Sequence, residues 1–165
     1  MKKLLLVLSL LSISLLANAK TPQFTDYAVN KIYQGKSAKL IIKSDFEKNY
    51  RTRLKWALDQ KPNFAGEYVI TYWGCGAGCR VHSILNKRTG EVLEDGFGGE
   101  MGPYLEDFKL NSKLIIAHGH EYDKNGEVIE SGKYFTYFYI LEKNKLKLVG
   151  KEARIEPDFF DIYPE

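Results

Sequence analysis

Glu67-Tyr68-Val69-Ile70-Thr71-Tyr72-Trp73-Gly74-Cys75-Gly76-Ala77-Gly78-Cys79 is the stretch on which the fold turns. In an extended chain, Tyr68, Ile70 and Tyr72 fall on one side and Val69, Thr71 and Trp73 on the other. Apolar residues on both sides read as a central strand. The strand runs into a glycine-rich segment that holds both cysteines of the chain.

Cys75 and Cys79 make a C-x-x-x-C pair. Closing such a loop needs Cα atoms about 5.5 Å apart, and Gly76 and Gly78 can take the positive φ that a tight closure demands. Whether the pair is oxidised depends on the compartment, and the N-terminus addresses that. Lys2 and Lys3 precede an apolar run over 4–16, and Ala17-Asn18-Ala19 has the small residues of a cleavage site. The run is shorter than the roughly 20 residues of a relaxed bilayer span. Residues 1–19 therefore read as a signal peptide and 20–165 as one exported domain, periplasmic or secreted, with no stable membrane insertion after cleavage. Export makes a structural Cys75–Cys79 disulfide the favoured state.

Loss of Lys2 and Lys3 leaves 22 basic side chains against 21 acidic, a near-neutral balance that gives no reason to expect a nucleic-acid partner. Aromatic residues make up 13% of the chain, with 11 Tyr and 9 Phe against 2 Met, which suits a β-rich domain.

Upstream, 40–42 reads as a short buried strand. Ser44-Asp45-Phe46-Glu47 has the S-x-x-E form of a capping box. Phe46, Tyr50, Leu54, Ala57 and Leu58 follow at helical spacing, and Pro62 forbids continuation, so one amphipathic helix is expected over about 45–60. Its basic outer face, Lys48, Arg51, Arg53 and Lys55, reads as a solvated surface. Downstream every clear element reads as strand: 80–85, 91–94, 113–120, 127–130, 133–142 and 145–149. Asn86-Lys87-Arg88-Thr89-Gly90 suits a hairpin with Gly90 left-handed. The echo of 90–96 in 126–132 gives two copies, too few for a repeat architecture. The expected fold is α+β: an antiparallel, meander-like sheet of about six to eight strands with one N-terminal amphipathic helix packed on it.

Several residues invite chemistry. A thiol-redox role for Cys75 and Cys79 would normally use C-x-x-C at a helix N-terminus, which neither spacing nor context provides. His118 and His120, two apart on a strand, face one side and can chelate, and His82 lies near the cysteines; these are the candidate metal ligands, although no cofactor is expected. The amides of 74–78, with Arg80 beyond, can cup an anion. The 95–103 loop resembles a phosphate loop only superficially, lacking Lys-Ser/Thr. Asp95, Glu100, Glu106 and Asp107 are candidate acid–base carboxylates or solvated loop acids. No nucleophile triad emerges, and no catalytic residue is assigned.

Asn63-Phe64-Ala65-Gly66-Glu67-Tyr68, then Tyr72 to Cys79, then Thr89-Gly90-Glu91-Val92 resemble a group of exported bacterial proteins of uncharacterised activity, whose hallmark is N-F-A-G-x-Y followed by W-G-C-G-x-G-C and a T-G-x-V hairpin. The resemblance spans about the middle third of the chain. It implies an exported context and transfers no catalytic residue. The expected function is an inhibitor- or immunity-like exported module that binds another envelope or secreted protein. Its expected binding surface is Trp73, Gly74, Gly76, Gly78 and Arg80, with Glu100 on the 95–103 loop opposite. The competing class is an enzyme using His118 and His120 with a metal, or the cysteine pair in redox chemistry.

Overall fold

The structure, a computed structural model, describes residues 20–76, 79–93, 97–99, 102–123, 125, 127–129 and 132–156. Among these residues seven antiparallel strands make two sheets. The first holds β1 (Tyr68–Gly76), β2 (Cys79–Asn86) and β3 (Gly98–Gly99). The second holds β4 (Tyr104–Phe108), β5 (Leu114–His120), β6 (Tyr134–Glu142) and β7 (Lys145–Arg154). Within each sheet the strands pair in chain order, so the expected meander is present but divided in two. Residues 1–19, where the expected signal peptide falls, lie outside the described residues.

The sheets pack on each other through Phe64, Tyr68, Ile70, Ile84, Leu93 and Phe97 from one and Ile115, Ala117 and Leu141 from the other. On the opposite face of the first sheet, Val69, Trp73 and Leu85 meet Leu54, Ala57 and Leu58. Beyond the second sheet, Leu114, Phe138 and Ile140 are covered by Phe24 and Tyr27. This layering corrects the reading of β1. It is the outer strand of its sheet, next to β2 alone. Its two faces are apolar because helical residues cover one and the second sheet covers the other, and period-2 patterning cannot separate that case from a central strand.

The single N-terminal helix over 45–60 is also corrected. Two short helices, α1 (Asp45–Asn49) and α2 (Arg51–Asp59), meet at Tyr50, whose φ of −100° and ψ of 12° are not helical. The Tyr50 ring turns onto Trp73, 5.0 Å between centroids. The capping box does form: Ser44 Oγ accepts from the Glu47 amide at 3.3 Å and Glu47 accepts from the Ser44 amide at 2.8 Å. No strand forms over 40–42, where Ile41 and Ile42 are exposed. Val92 and Val128 make single bridges, to Leu85 and Tyr122, where short strands were expected.

The distinctive sequence motifs are fold devices. Asn63 exchanges two hydrogen bonds with the Ile70 backbone, at 2.8 and 2.7 Å. Ala65 and Gly66 turn with φ of 44° and 78°, and a Cβ on Gly66 would sit 2.4 Å from the Lys31 carbonyl oxygen. Gly90 takes φ of 79°, as expected, and a Cβ there would lie 1.9 Å from the Lys39 carbonyl oxygen. Lys87, buried beneath this turn, donates to Ser37 Oγ at 2.5 Å and to the carbonyls of Leu58 and Gln60 at 2.5 and 2.6 Å. It thereby satisfies carbonyl groups that the end of α2 leaves without helical partners.

Candidate functional site: the stapled hairpin and the cavity beside it

The β1–β2 ladder ends on the pairs Gly74 with Arg80 and Gly76 with Cys79, with an irregularity between them. Cys75 and Cys79 are disulfide-bonded with Cα atoms 5.1 Å apart. The bond staples one strand of the hairpin to the other, rather than closing a turn after β1 has ended at Trp73. Gly76 has φ of 146° with nothing within 4 Å of its missing Cβ, so its freedom serves the backbone conformation. Gly78 lies outside the described residues. Both cysteines sit on strands, away from any helix N-terminus that would lower a thiol pKa.

Tyr72, Gly74, Cys75, Gly76 and Arg80 are exposed. Tyr72 should face the second sheet by its parity, yet it is 63% exposed, and the Arg80 guanidinium lies 5.2 Å from its ring centroid. Trp73 points the other way and is 5% exposed, packed against Phe46 and Tyr50 with the Arg53 guanidinium 5.8 Å away. Trp73 therefore belongs to the scaffold of the tip and offers a partner little surface.

The expected facing loop is partly in place. Gly98 and Gly99 pair with Val81 and Arg80 as β3. Asp95 and Glu100 fall outside the described residues, as do Ala77 and Gly78 of the expected anion cup. Beside β2 and β3, at the start of α1, lies a cavity of about 390 Å³. Its apolar walls are Phe46, Val81, Val92, Leu93 and Phe97. His82 and Ser83 contribute from β2, and Ser44 and Glu47 from the start of α1. His82 is 7% exposed, and its buried Nδ1 has no hydrogen-bond partner among the described residues. Burial pulls its pKa below the ordinary histidine value, Arg80 pushes the same way, and the Phe97 backbone opposes them.

His118 and His120 share a face of the second sheet, as their spacing requires, but this is the outer face, on which Leu114, Phe138 and Ile140 also lie. Neither meets His82, which belongs to the other sheet. His118 Nδ1 is 2.5 Å from the Tyr134 hydroxyl, and the Tyr104 ring stacks on it at 5.7 Å. Burial, then Arg154, lower the His118 pKa, while Glu106 raises it. His120 Nε2 lies 3.5 Å from Glu156. Glu106 pairs with Arg154 at 2.5 Å, and Asp107 is exposed on β4. Among the described residues no group of three or more His, Cys, Asp or Glu side chains is placed to hold a metal ion.

Sequence reasoning missed the burial of His82 and its cavity, because nothing in the pattern shows that β3 is only two residues long. Among the described residues no helix is long and apolar enough to cross a membrane. The disulfide is compatible with an oxidising, exported compartment. Comparison with family models, with curated proteins and with solved structures gives no match.

Proposed function

We propose that residues 20–165 form an exported binding module, released from a signal peptide over 1–19, that engages another envelope or secreted protein through the tip of the β1–β2 hairpin. One observation carries this reading: an exposed Tyr72–Arg80 pair stands on a hairpin closed by a disulfide and braced from behind by Trp73. Tyrosine and arginine are among the side chains that dominate interface energies. A braced hairpin loses little conformational freedom on binding, which favours affinity. The resemblance to exported proteins carrying W-G-C-G-x-G-C supports the compartment. No chemical step is assigned to the module.

The test compares the tagged mature protein with its Tyr72→Ala/Arg80→Ala form in crosslinking and pull-down from envelope extracts. The wild type is expected to retain a specific partner that the double variant loses by tenfold or more, while both unfold at the same temperature. Equal recovery by the two forms, or no specific partner for the wild type, overturns the proposal.

A further inference from the structure

We propose that the outer face of α2, with the adjoining 38–42 segment, is a peripheral docking surface for a phospholipid bilayer bearing anionic headgroups, centred on Trp56 with Lys39, Arg53 and Lys55 around it. Docking here needs neither the hairpin tip nor a partner protein, and the chain lies on the bilayer without crossing it.

Charge is spread unevenly along the chain. Residues 31–61 carry nine Lys or Arg against three Asp or Glu, whereas the rest of 20–165 carries 13 against 18. The near-neutral total therefore conceals a strongly basic segment, and that segment holds both α1 and α2. Of its three acids, Glu47 is buried and accepts from the Lys43 and Ser44 amides. Among the described residues Lys39, Lys48, Arg51, Arg53 and Lys55 are exposed and make no salt bridge. A cationic face without counterions of its own is drawn to an anionic surface, and the attraction fades beyond a Debye length.

Trp56 supplies the apolar half of the surface. α2 buries Leu54, Ala57 and Leu58. At about 3.6 residues per turn the Trp56 side chain leaves the helix on the opposite side, and it is 62% exposed. Beside α2 lies a cleft of about 570 Å³ whose lining includes Lys39, Leu40, Ile42, Lys55, Leu58 and Asp59. Ile42 is 47% exposed, so an accessible apolar side chain and two lysines share that cleft, with Asp59 the single acid in its lining. Tryptophan among basic residues suits a membrane–water interface, where the ring sits at headgroup level and Lys and Arg meet phosphates. Protein interfaces are depleted in lysine, so the lysine-rich setting of Trp56 favours lipid over an acidic protein.

The experiment mixes the full mature protein with vesicles of phosphatidylcholine alone, or of seven parts phosphatidylcholine to three of phosphatidylglycerol, and follows co-sedimentation and tryptophan emission. The chain has 2 Trp and Trp73 is 5% exposed, so a blue shift on binding reports Trp56. The phosphatidylglycerol vesicles are expected to bind about tenfold more tightly or better, with a blue shift that about 0.5 M NaCl reverses. Trp56→Ala abolishes the shift and weakens binding about fivefold, and Lys39→Glu/Lys55→Glu weakens it about tenfold. Lys145→Glu/Lys147→Glu makes the same charge change at exposed positions on β7, the far edge of the second sheet, and keeps wild-type binding. Equal binding to both vesicles, an unshifted emission, full binding by Trp56→Ala or by Lys39→Glu/Lys55→Glu, or an equal loss in the β7 variant overturns the proposal. So does a lack of vesicle binding, the result an acidic protein partner would give. The wild-type arms decide even if a variant fails to fold.

Discussion

At its base the β1–β2 hairpin is tied to its surroundings by many side-chain polar contacts, whereas its tip is closed by a covalent bond. At the base, Asn86 Oδ1 accepts from the amides of Arg88 and Thr89, at 2.9 and 3.1 Å. Its Nδ2 donates to Glu67 at 3.0 Å, and Glu67 pairs with Arg88 at 2.7 Å. The Tyr68 hydroxyl donates to Asn144 Oδ1, tying the base to the β6–β7 turn, and Lys87 ties it to the end of α2. At the tip, Gly74, Cys75 and Gly76 are exposed and the disulfide links the two strands. Hydrogen bonds gain strength where neighbouring layers exclude water. A disulfide needs no such shelter, so it can hold a part of the hairpin that projects for contact.

Three perturbations test this contrast. The largest effect is expected at the base: Lys87→Met takes the lysine donor from the Gln60 carbonyl and leaves the Leu58 carbonyl with Ser37 Oγ alone, and lowers stability by about 3 kcal/mol in urea unfolding. An effect below about 1 kcal/mol would show that the base does not depend on its buried lysine. Cys75→Ser/Cys79→Ser is expected to lower stability by about 2 kcal/mol, as a small closed loop allows. Amide exchange should accelerate around Gly74 and Arg80 while Asn86 and Gly90 keep their protection. Loss of protection at both ends would show one cooperative unit, and the contrast would fail.

Acid gives the smallest effect. The folded-state pKa values of His82 and His118 lie below the unfolded value, so the folded protein binds fewer protons. The stability from keeping these rings neutral is therefore complete above about pH 6.5 and is lost as pH falls from there toward the folded pKa values. Between pH 7 and 5.5 both rings are expected to cost the folded state stability as the medium acidifies. Urea midpoints of wild type and His82→Leu across this range check it: the variant should lose less stability on acidification, and parallel curves would remove His82 from the account.

How much was legible in the sequence follows from how local each signal is. The Ser44–Glu47 box, the left-handed Gly90 and the Cys75–Cys79 bridge each need only a few neighbouring residues, and each is present. β4 was missed because of a bulge between Leu105 and Asp107. Leu105 pairs with Ala117 and Phe108 with Ile115, both in the core, although three positions separate them. That spacing defeats a period-2 reading. The division into two sheets, the outer position of β1 and the orphaned His82 nitrogen depend on residues distant in sequence, beyond the reach of local patterning.

Asn63 carries a consequence of its own. Because β1 is the outer strand of its sheet, its free side is where another chain could zip on and begin self-pairing. The Asn63 carboxamide both donates to the Ile70 carbonyl and accepts from the Ile70 amide, the pair of bonds a stranger's backbone would need. One side chain thus works as a counterfeit strand and a guard against aggregation, leaving the hairpin free to project beyond the guarded position.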